Sequence, residues 1–120
     1  MQEQLRALIR RHCATLADEL EAVRGCLSRI DGGDEARARA VAEGIALTHK
    51  IKGSSGSIGF QEISASSAKL ELCLRSLIAD DHRLEPTRRH ELDVCFQEFE
   101  RLIASVTPEC SSLYEQALVK

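Results

Sequence analysis

The sequence predicts an all-α fold, an antiparallel four-helix bundle with a short additional C-terminal helix. Three observations predict it. Apolar residues recur at steps of three and four along most of the chain. Glycine, proline and paired acids divide it into four segments of about 20 residues, short-linked lengths that suit antiparallel helical neighbours. No segment alternates apolar and polar residues as a half-buried strand would. The 120 residues are 43% hydrophobic but include only three Phe, one Tyr and no Trp, so the core must be aliphatic. A chain of this length is most simply one domain over residues 1–120, large enough to bury its own core.

The first segment carries Leu5, Leu8, Ile9, Cys13, Leu16, Leu20, Val23, Leu27 and Ile30, the stripe of a long amphipathic helix. Asp31-Gly32-Gly33 ends it, because glycine tolerates the backbone angles of a helix terminus and turn. Asp34 is expected to cap a second helix, with Glu35 in its first turn. That helix carries Val41, Ile45, Leu47, Thr48, Ile51 and Ile58 and should end near Gly59. A third presents Ile63, Leu70, Leu74, Leu77 and Ile78 and breaks at Asp80-Asp81-His82. Pro86 suits the first turn of a fourth, where its missing N–H costs little. Leu92, Cys95, Phe96, Phe99, Leu102, Ile103 and Val106 supply the buried face of that helix. Thr107-Pro108-Glu109 resembles one more helix start, predicting a short helix to about Leu118.

The global composition excludes several classes. With 16 basic and 19 acidic residues the net charge is −3, which argues against a dedicated nucleic-acid binder. Balanced charge and ample aliphatics argue against disorder. No stretch approaches the roughly 18 continuous apolar residues of a membrane span. The start, Met1-Gln2-Glu3-Gln4-Leu5-Arg6, has charges where a signal peptide needs its apolar centre, so a cytoplasmic protein is expected. Five cysteines lie at irregular spacings without a Cys-x-x-Cys pair, and read as small apolar residues in a reducing compartment. His12, His82 and His90 form no cluster with metal-ligand spacing and are expected to face solvent.

One stretch departs from ordinary bundle sequence. In His49-Lys50-Ile51-Lys52-Gly53-Ser54-Ser55-Gly56-Ser57-Ile58-Gly59, three glycines and three serines stand where a helix should propagate. Each interior glycine costs about 1 kcal/mol relative to alanine, so these positions serve something besides helix stability, or form a loop. Apolar phasing from Leu47 through Ile51 to Ile58 nevertheless continues through them. At helical spacing, Val41, Ile45, Thr48, Ile51 and Ser55 face inward. His49 falls beside that arc, and Ala42, Ala46, Gly53 and Gly56 share its outer face. A single imidazole thus stands on a surface stripped of bulk, with Lys52 three residues away. No acid occurs between Glu43 and Gln61, so the patch is basic within an acidic chain. An exposed imidazole is substantially neutral and nucleophilic at pH 7, and a neighbouring ammonium can hold a phosphoryl group. An Ala/Gly rim would let another protein's active site reach the ring.

This segment resembles the signature of the histidine-containing phosphotransfer (HPt) domains of bacterial phosphorelays, His-x-Leu-Lys-Gly-Ser-Ser followed by a Gly about ten residues after the histidine. Here Ile51 replaces the Leu, Gly59 holds the later position, and Phe60 stands where a smaller residue is common. The resemblance implies that His49 is the phosphoacceptor, modified on Nε2, and that Lys52 assists the phosphoryl group. It further implies that Gly53 keeps the docking face open and that Gly59 helps turn the chain into the third helix. Family members often place a polar residue about 22 positions, and a basic one about 26 positions, beyond the histidine; Glu71 and Arg75 stand there. Glu71, where glutamine is usual, could accept a hydrogen bond from Nδ1–H of His49. Arg75 could support the phosphoryl group, contact a partner, or be an ordinary solvated arginine. The implied partners are receiver domains of response regulators and hybrid sensor kinases. Mg²⁺ belongs to the receiver and no cofactor is expected on this chain.

Other readings fit less well. A sensor-kinase dimerisation module would carry an acid just after the histidine and a proline a turn later, where this chain has Lys50 and Ser54. An ATP-binding domain after the bundle is not expected in these 120 residues, and with it no autonomous kinase activity. The glycine run lacks the Gly-Lys-Ser/Thr ending of a phosphate loop and follows a helix rather than a strand. The alternative is a helical adaptor that binds a signalling partner without carrying phosphate. A free-standing monomer is expected.

Overall fold

The computed structural model describes residues 2–114, in which four α-helices are followed by one 3₁₀ turn. They are α1 (Gln2–Arg29), α2 (Asp34–Ser57), α3 (Gln61–Ala79) and α4 (Pro86–Ala104), with the 3₁₀ turn at Pro108–Cys110. Each helix packs on the next in sequence, and α4 closes back on α1. Cross-helix pairs fix the antiparallel direction: His12 meets Ser55, Glu19 meets Lys50, and Arg29 meets Glu43. The axis of the bundle holds an aliphatic core of Ile9, Leu16, Leu20, Val23, Leu27 and Ile30 against Val41, Ile51, Leu70, Leu74, Leu77, Leu92 and Ile103. Phe60 and Phe99 are its largest buried members.

The helix boundaries follow from local chemistry. Gly33, not Asp34, is the N-cap of α2 and makes no side-chain cap bond. Asp34 is instead the first helical residue, where with Glu35 its charge faces the positive end of the helix dipole. Pro86 occupies the first turn of α4, as its fixed backbone angle favours. Two helices end in the same 6→1 and 5→2 hydrogen-bond pattern. At α2, Phe60 N–H donates to Ser55 O (2.8 Å) and Gly59 N–H to Gly56 O (3.3 Å). At α3, His82 N–H donates to Leu77 O (2.6 Å) and Asp81 N–H to Ile78 O (3.0 Å). The residue that turns the chain is Gly59 (φ +92°) in the first case and Asp81 (φ +57°) in the second.

Beyond α4 the expected helix is replaced, among the described residues, by the short 3₁₀ turn and a further turn to Tyr114; positions 115–118 lie outside them. This segment is anchored rather than helical. Ser111 Oγ donates to Ile58 O (2.6 Å) and Ser112 N–H to Gly59 O (3.0 Å). Tyr114 is buried with the Arg6 guanidinium 4.2 Å over its ring. Satisfying the carbonyls at the end of α2 thus outweighs the helical pattern of Thr107-Pro108-Glu109.

Three further expectations need correction. Leu8 and Ile78 are half-exposed, because the apolar stripes of α1 and α3 are wider than the surfaces their neighbours cover. Cys110 is exposed on the 3₁₀ turn instead of packing as an apolar residue. His12 is not solvent-facing. Its Nε2 lies 3.0 Å from the buried Ser55 Oγ, and its ring stacks on Phe60 with centroids 5.5 Å apart. Burial pushes the His12 pKa down, so the unfolded chain takes up protons before the folded one as pH falls. Stability contributed by neutral His12 is complete above the ordinary imidazole value of about 6.5 and is lost as pH falls from there toward the folded pKa. Urea midpoints between pH 7.5 and pH 5.5 should therefore decline in the native chain, and His12→Gln should flatten that decline.

Candidate functional site

α2 carries His49 about two-thirds of the way along its length, where the helix is regular despite the glycines. Val41, Thr48, Ile51 and Ser55 are buried against the core, and that packing supplies the stability the glycines do not. Thr48 Oγ1 donates back to Gly44 O (2.8 Å), satisfying a hydroxyl with nowhere else to go. Small residues bring α2 and α3 close together. A Cβ at Gly44 would meet Leu74 Cδ1 at 2.9 Å, and one at Gly56 would meet Ser64 Oγ at 3.1 Å. At this distance α3 hydroxyls reach α2 carbonyls. Ser67 Oγ donates to Thr48 O and Ser64 Oγ to Lys52 O, both at 2.8 Å. These two bonds bracket His49 and hold the backbone beneath it.

His49 itself projects outward, with 63% of its side chain exposed. Across the helix interface stands Glu71 of α3, a carboxylate only 5% exposed. His49 Nδ1 lies 3.3 Å from Glu71 Oε2. Arg75 Nε and Nη2 each reach the same oxygen at 2.8 Å, while Lys52 Nζ is 3.4 Å from Oε1 as an ion pair. Burial pushes the Glu71 carboxyl up, but the Arg75 hydrogen bonds and the Lys52 ammonium outweigh it, and its pKa falls below the ordinary carboxylate range. Glu71 is therefore ionised at neutral pH and accepts only. Nδ1 is thus the ring nitrogen that donates in this contact.

The site is thus less simply basic than the α2 sequence alone suggests. Glu71 faces Lys52, and the buried Glu19 of α1 faces Lys50 at 3.7 Å. Burial raises the Glu19 pKa while Lys50 pulls it down, and the rise prevails. Two cations, Lys52 and Arg75, still surround the single carboxylate beside His49, and both remain partly exposed.

The glycines divide by role. Gly53 is exposed, and a Cβ there would meet nothing within 4 Å, so it borders His49 with open space. Gly56 does not belong to that open face: it is half-buried against Ser64 in the α2–α3 contact. Gly59 lies at the helix end, in the turn to α3. Leu72, one residue after Glu71, is 66% exposed. Sequence reasoning missed the roles of Ser64 and Ser67. Their three-residue spacing on one face of an otherwise apolar helix was the available signal, but what they bond to is visible only across the interface.

No group of three or more His, Cys, Asp and Glu among the described residues is arranged to hold a metal ion. No described helix is long and apolar enough to cross a membrane. Compared with known proteins, the chain matches the family model of the Hpt domain over residues 1–107. Neither the curated proteins nor the solved structures contain a match to it. An all-helical bundle with an outward histidine seated on a buried carboxylate, and a family match over nearly its whole length, place the chain in the Hpt domain family of histidine phosphotransfer domains, phosphocarriers that work with receiver domains in two-component phosphorelays.

Proposed function

We propose that this chain carries a phosphoryl group on Nε2 of His49, taking it from the aspartyl phosphate of one receiver domain and delivering it to the aspartate of another. The observation that carries the reading is the Nδ1 contact to ionised Glu71 on a ring that is otherwise open to solvent. The Nε2 lone pair forms the N–P bond as the P–O bond to the receiver carboxylate breaks, and the carboxylate leaves with the electron pair. The ring keeps its Nδ1 proton and becomes cationic. Glu71 faces that new charge, so it stabilises the phosphorylated ring more than the free one. On return transfer, the protonated imidazole is the better leaving group.

Lys52 and Arg75 are placed to draw the phosphoryl oxygens toward this corner of the bundle. Gly53 leaves room for the receiver's active site, which would bring the Mg²⁺ and most of the transition-state stabilisation. In this reading the chain is a phosphocarrier rather than a kinase, cytoplasmic and monomeric between encounters.

The test is incubation with a receiver domain phosphorylated on aspartate. Acquisition of acid-labile, base-stable phosphate on the chain supports the reading, and stable binding without any such label would overturn it in favour of an adaptor. Within that assay, Lys52→Ala should slow transfer by roughly 10-fold or more, a loss of about 1.4 kcal/mol at the transition state. Its urea midpoint should hardly move, because a partly exposed lysine contributes little to stability.

A further inference from the structure

On the side of α3 away from the histidine, Cys73 and Cys95 of α4 bring their Sγ atoms to 3.2 Å. Cys73 lies two residues beyond Glu71, about 200° around the helix, so the pair is separate from the phosphoryl site. Both thiols are free and half-buried. With His90, Glu91 and Val94 they line a shallow cleft of about 450 Å³, which gives small solutes access to the sulfurs. The same cleft exposes half of Val94, so no element of the described chain covers it.

We propose that Cys73 and Cys95 are an oxidation site, at which a hydroperoxide converts the dithiol to an intramolecular disulfide joining α3 to α4. The Cys95 thiol, having released its proton, attacks a peroxide oxygen. The O–O bond breaks, the departing hydroxide or alkoxide regains a proton, and Cys95 becomes a sulfenic acid. The Cys73 sulfur then attacks Cys95 sulfur. The S–S bond forms, the S–O bond breaks, and the hydroxide leaves as water with the Cys73 proton. Two electrons pass from the two sulfurs to the peroxide.

Burial, and then the hydrogen bond to Cys95, push the Cys73 thiol up to about 12, so Cys73 enters the sequence as the protonated member of the pair. The sulfurs must close from 3.2 Å to about 2.05 Å, within reach of side-chain rotation and a small helix shift. The bridge would enclose the α3–α4 turn, whose Asp81 and His82 already hold left-handed backbone angles. Restricting that loop in the unfolded chain should raise Tm by about 10 °C.

The experiment treats the whole chain with hydrogen peroxide at neutral pH, blocks remaining thiols by alkylation, and maps peptides without reduction. The expected result is loss of two hydrogens, a linked peptide containing Cys73 and Cys95, reversal by dithiothreitol, and the rise in Tm. Cys73→Ser and Cys95→Ser should each abolish the link. Should either variant fail to fold, the wild-type peptide map decides by itself. Both thiols still alkylatable after peroxide, a link between Cys13 and Cys110 instead, or Cys95 over-oxidised beside a free Cys73 would overturn the proposal. The readout is covalent and does not depend on whether His49 carries phosphate.

Discussion

His49→Gln should acquire no phosphoryl group from a phosphorylated receiver, a loss of labelling to below detection. The same variant should keep wild-type helicity and stability within about 0.5 kcal/mol, since it removes a largely exposed ring whose one anchoring contact is at the edge of the bundle. On the proposed reading the effect is total, because transfer rests on one lone pair. Glutamine can still hydrogen-bond Glu71 through its amide, but it has no nucleophilic nitrogen. No other histidine is placed to substitute. His12 commits its Nε2 to Ser55 against Phe60, and His82 and His90 belong to the α3–α4 turn and the start of α4, away from the Glu71 cluster. The measurement is acid-labile label on the chain after incubation, alongside circular dichroism. Undiminished labelling with intact helicity would sink the assignment of His49, and labelling that then disappears on His12→Gln would relocate it.

The second large effect concerns two glycines of one segment with opposite signs. Gly59→Ala should destabilise the fold by about 2–4 kcal/mol. Gly59 holds φ +92°, a region that an L side chain rarely adopts. Its new Cβ would also lie 2.7 Å from Ser111 Oγ, 2.9 Å from Ser112 Oγ and 3.0 Å from Leu113 N. Ser111 cannot simply rotate away, because its hydroxyl donates to Ile58 O and accepts from Leu113 N–H. Gly53→Ala should instead stabilise the fold by up to about 1 kcal/mol, the ordinary gain from alanine in a helix, since its Cβ meets nothing. Urea denaturation of both variants checks the pair. A neutral Gly59→Ala would mean that the C-terminal segment does not pack on this turn as described.

Both glycines are letters in the same motif, and this is where legibility divides. The four helices, the breaks at Asp31-Gly32-Gly33 and Asp80-Asp81-His82, and Pro86 at the start of α4 could all be read from one-dimensional pattern. Helical periodicity and backbone stereochemistry act locally, so the sequence around each element carries its own signal. The outward position of His49 was legible for the same reason: it needs only the phase of α2. The expected final helix was not reliable, because Ser111 and Ser112 bond to the end of α2, 53 residues away in the case of Ser111 and Ile58.

The charge around His49 was legible only in part: the resemblance set Glu71 near its Nδ1, but nothing in the sequence set Glu19 opposite Lys50. Along α2 there is no acid between Glu43 and Gln61, yet Glu71 and Glu19 arrive from α3 and α1 to face Lys52 and Lys50. Periodicity says which residues share one face of a helix and nothing about what lies opposite. His12 was lost in the same way, since its phase on α1 does not disclose Ser55 and Phe60. By itself, then, the sequence determined the helices, their order and the single histidine set on a small-residue surface, all consequences of local backbone preference and residue phase. Only the tertiary structure showed how closely Glu71 stands to His49, which glycine is open and which is strained, and that Glu19 faces Lys50. Each of these depends on the distance between atoms of different helices, and that distance is set by how closely small residues let α1, α2 and α3 approach.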